Sequence, residues 1–230
     1  MASITDIMTS IESLNKNITD FRQDTLDIDQ FLTGTLVSYM FFKDKYPEIQ
    51  KDFNEKERDR EEKEGMKIFE NLNLKVSSYE TEIFTFCFIN LIARTEAFLN
   101  DVLESLYKWK KDETNEELNS EVMEKKILKY SHSSFNDKIR FLKEKFNLTF
   151  PLIEEHKSSI IELFTTRNII LHNNGYVNTT YLKINADSKF ELGTKRIVER
   201  EYLKLTIILL IIVAKSIEEK ALELVTDASH

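Results

Sequence analysis

The chain has few of the residues that turn or cross-link a polypeptide. Its 230 residues include four Gly, two Pro and one Cys. So few Gly and Pro exclude the many tight turns that a β-sandwich or β-barrel needs. The single cysteine, Cys87, lies inside the apolar run IFTFCFINLI, which favours a small buried hydrophobe over a disulfide, a metal ligand or a nucleophile. The composition therefore predicts an all-α protein.

A surplus of positive charge is also missing. The net charge of -8 argues against a general nucleic-acid coat protein, although it leaves room for a local basic groove. The N-terminus lacks the layout of a secretory signal, and the longest apolar run, TIILLIIVA, is well short of the roughly 20 residues that span a bilayer. These features predict a soluble, cytoplasmic protein with no membrane partner.

Apolar residues recur at three- and four-residue steps along most of the chain, which indicates amphipathic helices. Pro151 opens one of these predicted helices, and Ser134 with Asp137 resembles a capping box. The predicted helices cover residues 4–21, 79–110, 122–130, 135–146, 151–173 and 199–225, a further helix begins over residues 36–42, and residues 176–198 form a loop or a small β-hairpin around Gly193. We expect a single domain over residues 1–230, with a core at about 77–225 and N-terminal helices within 3–70 packed on it.

Two charged residues fall on helix faces that are otherwise apolar. Arg167 lies at the centre of a stripe formed by Ile160, Leu163, Phe164, Ile170 and Leu171. Glu96 lies within a stripe of the central helix formed by Ile92, Leu99, Leu103 and Leu106. A buried guanidinium requires an anionic partner. That partner is either Glu96, in a salt bridge that serves only the core, or a ligand.

Polar groups surround Arg167 on its own helix. Asn168 and His172 lie about 100° and 140° from Arg167 on an ideal helix, so one helix does not easily bring Arg167 and His172 to one atom. Either the helix ends or distorts there, or the groups meet across two chains. The sequence HNNG is typical of a helix C-cap and predicts that His172 lies near solvent. Ile169, on the opposite face, indicates a second apolar contact, most simply with a second copy of the chain.

The string RNIILH, from Arg167 to His172, resembles the motif of the HEPN superfamily of helical proteins: an Arg, a polar residue, three apolar residues and a His. The longer string RNIILHNNGYVN resembles HEPN ribonucleases of prokaryotic toxin–antitoxin and phage-defence systems. In ARTEAFLNDVL, Glu96 matches the acidic residue that this group carries inside an apolar helix. The resemblance implies a HEPN-like up-and-down helical bundle with extra helices and an insertion near 176–198.

For function, the resemblance implies a metal-independent endoribonuclease without a cofactor, acting as a homodimer with a composite active site. Arg167 would hold the scissile phosphate and His172 would be the general acid or base. Asn168 would orient one of the reacting groups, and Glu96 would fix Arg167. Attack by the 2′-hydroxyl would leave a cyclic phosphate and would spare DNA, which lacks that group.

The expected partners are an RNA substrate, a second copy of the chain and a possible antitoxin or regulator. Asn173, Lys126 and Lys129 are the candidate substrate contacts. The two lysines belong to a basic stretch that also includes Lys125, Lys138, Arg140, Lys143 and Lys145. Acidic residues interrupt this stretch, so a solvated helix face is an equal alternative. The four histidines show no metal-ligand spacing, and no metal site is expected.

Two other functions remain open from the sequence. One is a non-catalytic HEPN-like module that binds a nucleotide, RNA or a protein partner. The other is a plain helical scaffold in which Arg167 and Glu96 serve only the core.

Overall fold

A computed structural model describes most of the chain from residue 60 onward. The described residues are 9, 12–13, 15–17, 19–21, 23–28, 30–31, 33–35, 37–38, 45, 60–114 and 120–227. Within them, the side chains of residues 60–78, 111–114, 120–124, 126 and 225–227 are not described. Most of the helix predicted at 36–42 lies outside the described residues.

The described part of the chain from residue 60 onward is an all-α bundle of seven helices, which confirms the predicted fold class. The helices are α1 (Arg60–Thr114), α2 (Ser120–Ser131), α3 (Phe135–Phe146), α4 (Pro151–Glu155), α5 (Lys157–Asn173), α6 (Thr179–Ile184) and α7 (Arg200–Asp227). None of these helices is both long and apolar enough to cross a bilayer.

The core forms where α1 packs against α7, and α5 contacts α1, α3, α4, α6 and α7. Stacked rings of Phe135 and Phe164, with centroids 4.7 Å apart, join α3 to α5. Cys87 is buried in α1, as expected, and burial raises the pKa of its thiol to about 11. The N-terminal helical residues also reach this core, because the ring of Phe21 lies 4.8 Å from that of Phe98.

Helix α3 begins and ends where its sequence predicts. The Ser134 hydroxyl oxygen accepts a hydrogen bond from the Asp137 backbone N–H at 3.2 Å, which confirms the predicted cap. At the other end Asn147 takes the left-handed conformation, with φ 56°.

Two of the helices predicted after residue 60 differ from the structure by more than two residues. Helix α1 extends far beyond residues 79–110, since it begins at Arg60 and ends at Thr114. The single helix predicted over 151–173 is wrong, because it is interrupted at His156, whose φ and ψ are -102° and 13°. No Gly or Pro marks this interruption, and the apolar periodicity continues across it. Ile153, before the interruption, and Ile160, after it, are both buried.

The segment 176–198 does not form the β-hairpin offered as one alternative. It contains one isolated antiparallel bridge, between Tyr176 and Lys195, and the helix α6, which the sequence did not predict. Asn178 starts α6, since its side-chain oxygen accepts a hydrogen bond from the Tyr181 N–H at 2.8 Å. Backbone bonds continue from this bridge to Val177, whose N–H donates to the Thr194 carbonyl at 2.9 Å, and the pairing ends there because the helix begins at Thr179.

Gly175 closes the turn between α5 and this segment, and its replacement by alanine tests that junction. Its φ is +81°, and an added Cβ would lie 3.2 Å from the carbonyl oxygen of Arg196. We expect Gly175→Ala to lower the free energy of unfolding by about 1–2 kcal/mol from backbone strain alone, and by more because of this contact. Urea titration measures the loss.

Gly193→Ala is the matched control. Gly193 has almost the same φ, +79°, but an added Cβ would meet nothing within 4 Å. Gly193→Ala should therefore lose only the free energy of unfolding that corresponds to backbone strain. Equal losses in the two variants would contradict a steric role for the carbonyl of Arg196.

Candidate functional site

Glu96 and Arg167 lie together between α1 and α5. Arg167 Nη2 is 3.4 Å from Glu96 Oε2, and the two side chains are 23% and 33% exposed. Arg167 Nη1 also donates to Asn168 Oδ1 at 3.2 Å. The place of Arg167 on the helix stripe predicted that its guanidinium lies within the core. In the structure the guanidinium lies instead at the edge of the core. Leu171, assigned to the same stripe, is 45% exposed.

Lys138 is a second cation near Glu96, and the sequence placed it wrongly in a basic surface stretch. It is only 1% exposed, because it shares the inward face of α3 with Phe135, Ile139, Leu142 and Phe146. Its Nζ donates to Asn100 Oδ1 at 3.1 Å. Burial lowers the pKa of Lys138, and the nearby charge of Glu96 opposes that shift. Glu96 thus interacts with two cations.

The Arg167 guanidinium retains hydrogen-bonding capacity. An arginine has five N–H donors, whereas the two terminal nitrogens of Arg167 contact Glu96 and Asn168 and no other residue that the structure describes. Its Nε is buried and has no hydrogen-bond partner within the described ranges. An unpaired buried donor costs about 1–3 kcal/mol, so this placement of the guanidinium lowers the stability of the fold.

His172 lies in the last turn of α5 and is exposed. The predicted C-cap is confirmed, since Asn174 is left-handed with φ 50° and the Gly175 N–H donates to the Ile169 carbonyl at 2.9 Å. Helix α5 is unbroken from Arg167 through Asn173, so it neither ends nor distorts between Arg167 and His172. The two side chains are therefore separated by about 140° around the helix.

The candidate substrate contacts fall in different places. Asn173 is exposed, but its side-chain amide donates to the Tyr176 carbonyl at 2.6 Å and so closes the turn after α5. Lys129 is exposed on α2 and lines a cavity between α1, α2 and α3. The Lys126 side chain lies outside the described residues. Among those that are described, no group of three His, Cys, Asp or Glu side chains could hold a metal ion.

Glu162 is the centre of a hydrogen-bond network that the sequence did not reveal. Its Oε1 accepts from Thr166 Oγ1 at 2.8 Å, from the Tyr181 hydroxyl at 2.7 Å, and from Arg196 Nη2 at 3.1 Å. Its Oε2 accepts from the Tyr202 hydroxyl at 2.6 Å. Burial and the adjacent Glu162 charge raise the pKa of both tyrosines. The network ties α5 to the 176–198 segment and to α7.

Arg196 completes the network with its planar group. Its guanidinium carbon lies 4.2 Å from the ring centroids of both Phe190 and Tyr202, in two cation–π contacts. The backbone N–H of Arg196 also donates to the Gly175 carbonyl at 2.8 Å. One residue thereby connects Glu162 to the turn that follows His172.

The 176–198 segment, and not a second chain, covers Ile169. Ile169 is buried against Val177 and Tyr181, with Leu182 and Phe190 packed on them. The inference of a homodimer from Ile169 is therefore wrong. One signal could have indicated the correct answer: Glu162, Thr166 and Ile169 share one helix face at steps of four and three residues.

Comparisons of this chain with protein-family models, with curated proteins and with solved structures gave no match.

Proposed function

We propose that this chain is a metal-independent endoribonuclease of the HEPN type. The observation that carries the proposal is the placement of Arg167 and His172 on one unbroken helix. Arg167 is held by Glu96 at the edge of the core, and His172 is exposed one and a half turns later. Arginine provides a planar fork of donors for phosphate oxygens, and histidine transfers protons near neutral pH.

In the proposed reaction a base removes the proton of the RNA 2′-hydroxyl, and O2′ attacks the adjacent phosphorus. The bond to the 5′-oxygen breaks, and that oxygen takes up a proton from a general acid. The products are a 2′,3′-cyclic phosphate and a 5′-hydroxyl. His172 serves as general acid or base, Arg167 stabilises charge on the phosphate, Asn168 orients a reacting group, and Glu96 positions Arg167.

The site is proposed to be shared by two copies of the chain. Because Arg167 and His172 point about 140° apart on α5, a single helix does not direct both at one phosphate. Two α5 helices related by a twofold axis can each supply one of these groups. A protein that remained strictly monomeric at micromolar concentration would contradict this part of the proposal.

The cellular role proposed with this activity is that of a toxin or phage-defence effector in the cytoplasm, restrained by an antitoxin or regulator. The resemblance of RNIILHNNGYVN to such ribonucleases supports this role.

A cleavage assay in EDTA tests the proposed function. The purified protein is incubated with tRNA and mRNA, and with an oligonucleotide whose residues are all 2′-deoxy. We expect both RNAs to be cut without divalent metal, with cyclic phosphate and 5′-hydroxyl ends, and the deoxy oligonucleotide to remain intact. Ends with a 3′-hydroxyl and a 5′-phosphate would contradict 2′-hydroxyl attack. Absence of cleavage would favour the non-catalytic module or the scaffold.

A further inference from the structure

A cavity of about 670 Å³ opens between the C-terminal part of α1, α2 and the outer face of α3. Its size lies within the usual range of small-molecule sites, about 300–1,000 Å³. Three aromatic residues, Tyr107, Tyr130 and Phe141, and three cationic residues, Lys129, Arg140 and Lys145, line it. None of these six belongs to the proposed catalytic set, so the cavity is a separate feature of the molecule.

The aromatic residues form one wall. The Phe141 ring lies 5.5 Å from that of Tyr130 and 6.3 Å from that of Tyr107, measured between centroids. Tyr107 and Tyr130 are almost fully buried, yet neither hydroxyl has a hydrogen-bond partner among the residues that the structure describes. Most buried hydroxyls are paired, so two unpaired ones beside a single cavity are unusual; both are covered by protein, and a ligand in the cavity would reach them only after a shift of the rings.

The charged residues form the rim. Lys129, Arg140 and Lys145 are exposed, and Arg140 is held by Asp137, with Nη2 2.6 Å from Oδ1. Glu144 lines the same rim. Two carboxylates partly offset the three cations, so this rim suits contact with one phosphate of a strand rather than with a run of phosphates.

We infer that this cavity binds one unstacked nucleotide of a single-stranded RNA, with the base against Phe141, the partly exposed ring of the aromatic wall, and the phosphate at Arg140. Unstacked RNA bases usually stack on aromatic side chains or on arginine guanidinium groups. The buried Lys138 contacts the aromatic wall, because its Nζ lies 5.2 Å from the Tyr130 ring centroid. The inference deepens the proposed function and rests on it.

Binding of a fluorescent, single-stranded 2′-O-methyl RNA, measured by anisotropy, tests the inference. This probe has no free 2′-hydroxyl and stays intact. We expect Arg140→Ala to weaken binding about tenfold, as for a lost hydrogen bond to a charged group. Lys143→Ala is the matched control, because Lys143 is exposed on the same helix but does not line the cavity. It should change binding less than about twofold.

Tyr130→Phe separates a ligand contact from a structural role. Removing an unpaired buried hydroxyl should leave the melting temperature unchanged or raise it. The same variant should bind the probe about threefold more weakly, if the hydroxyl bonds the base. If Tyr130→Phe bound the RNA probe with unchanged affinity, the inference that the base binds in this cavity would be wrong.

The remaining outcomes separate this inference from the proposed cleavage. If the wild type cleaves RNA but Arg140→Ala and Lys143→Ala bind the probe equally well, the inference about the cavity is wrong and the proposed ribonuclease activity still holds. Weakened binding by Arg140→Ala without any RNA cleavage would support the cavity and contradict the enzyme. No measurable binding of the probe by the wild-type chain would overturn the inference.

Discussion

Replacing His172 with alanine is expected to reduce RNA cleavage at least about 100-fold, because a positioned general acid or base contributes about 10²–10⁴-fold. His172 is exposed in the last turn of α5, where alanine removes no packed side chain. The melting temperature should therefore stay within a degree or two, roughly, of wild type. Initial cleavage rates of a labelled RNA in EDTA measure the effect.

His132→Ala is the control for this substitution. His132 is also exposed, but it lies in the turn between α2 and α3 and has no assigned role. Its cleavage rate should match that of the wild type. If His172→Ala cleaved RNA as fast as His132→Ala, the enzyme proposal would be wrong, and the binding module or the scaffold would take its place.

Glu162→Ala should produce the largest loss of stability, a decrease of about 3–5 kcal/mol in the free energy of unfolding. Glu162 and Arg196 are only 21% and 12% exposed, so removal of the carboxylate leaves a largely buried guanidinium without its counter-ion. The hydroxyls of Tyr181 and Tyr202 lose their acceptor in the same step. Chemical denaturation followed by far-UV circular dichroism measures the change.

Glu154→Ala provides the comparison for Glu162→Ala. Glu154 also belongs to an ion pair, with its Oε2 3.0 Å from Lys157 Nζ, but both side chains are at least 40% exposed. A surface pair of this kind contributes about 0–1 kcal/mol. Similar small losses in both variants would show that the Glu162 network is weaker than its geometry indicates.

Much of the fold could be predicted from local patterns. Ser134 and the HNNG sequence marked helix ends correctly, because caps depend on a few adjacent residues. Helix α6 could not be predicted from apolar periodicity, because it is a six-residue helix started by one side-chain bond from Asn178. The break at His156 likewise leaves no local signal.

The candidate site was predictable only in part. The pairing of Glu96 with Arg167 could be anticipated, since each is a charge on an apolar helix face. Lys138 fills the same kind of position on α3, but its place in a run of basic residues suggested a surface role. The Glu162 and Arg196 contact joins residues 34 positions apart, and no local pattern reports such a pair.

The contacts that hold the end of α5 limit how its RNIILHNNG segment can be transferred to another protein. This 17-residue helix is fastened at its C-terminus by the backbone of Arg196, through Gly175, and along one face by Glu162. Isolated helices shorter than about 12–15 residues are marginal in water, so a synthetic peptide of the nine residues RNIILHNNG would fray and lose the direction of its imidazole. We therefore expect a graft of this segment onto another protein to keep its helical end only if the contacts of Glu162, Gly175 and Arg196 are transferred with it.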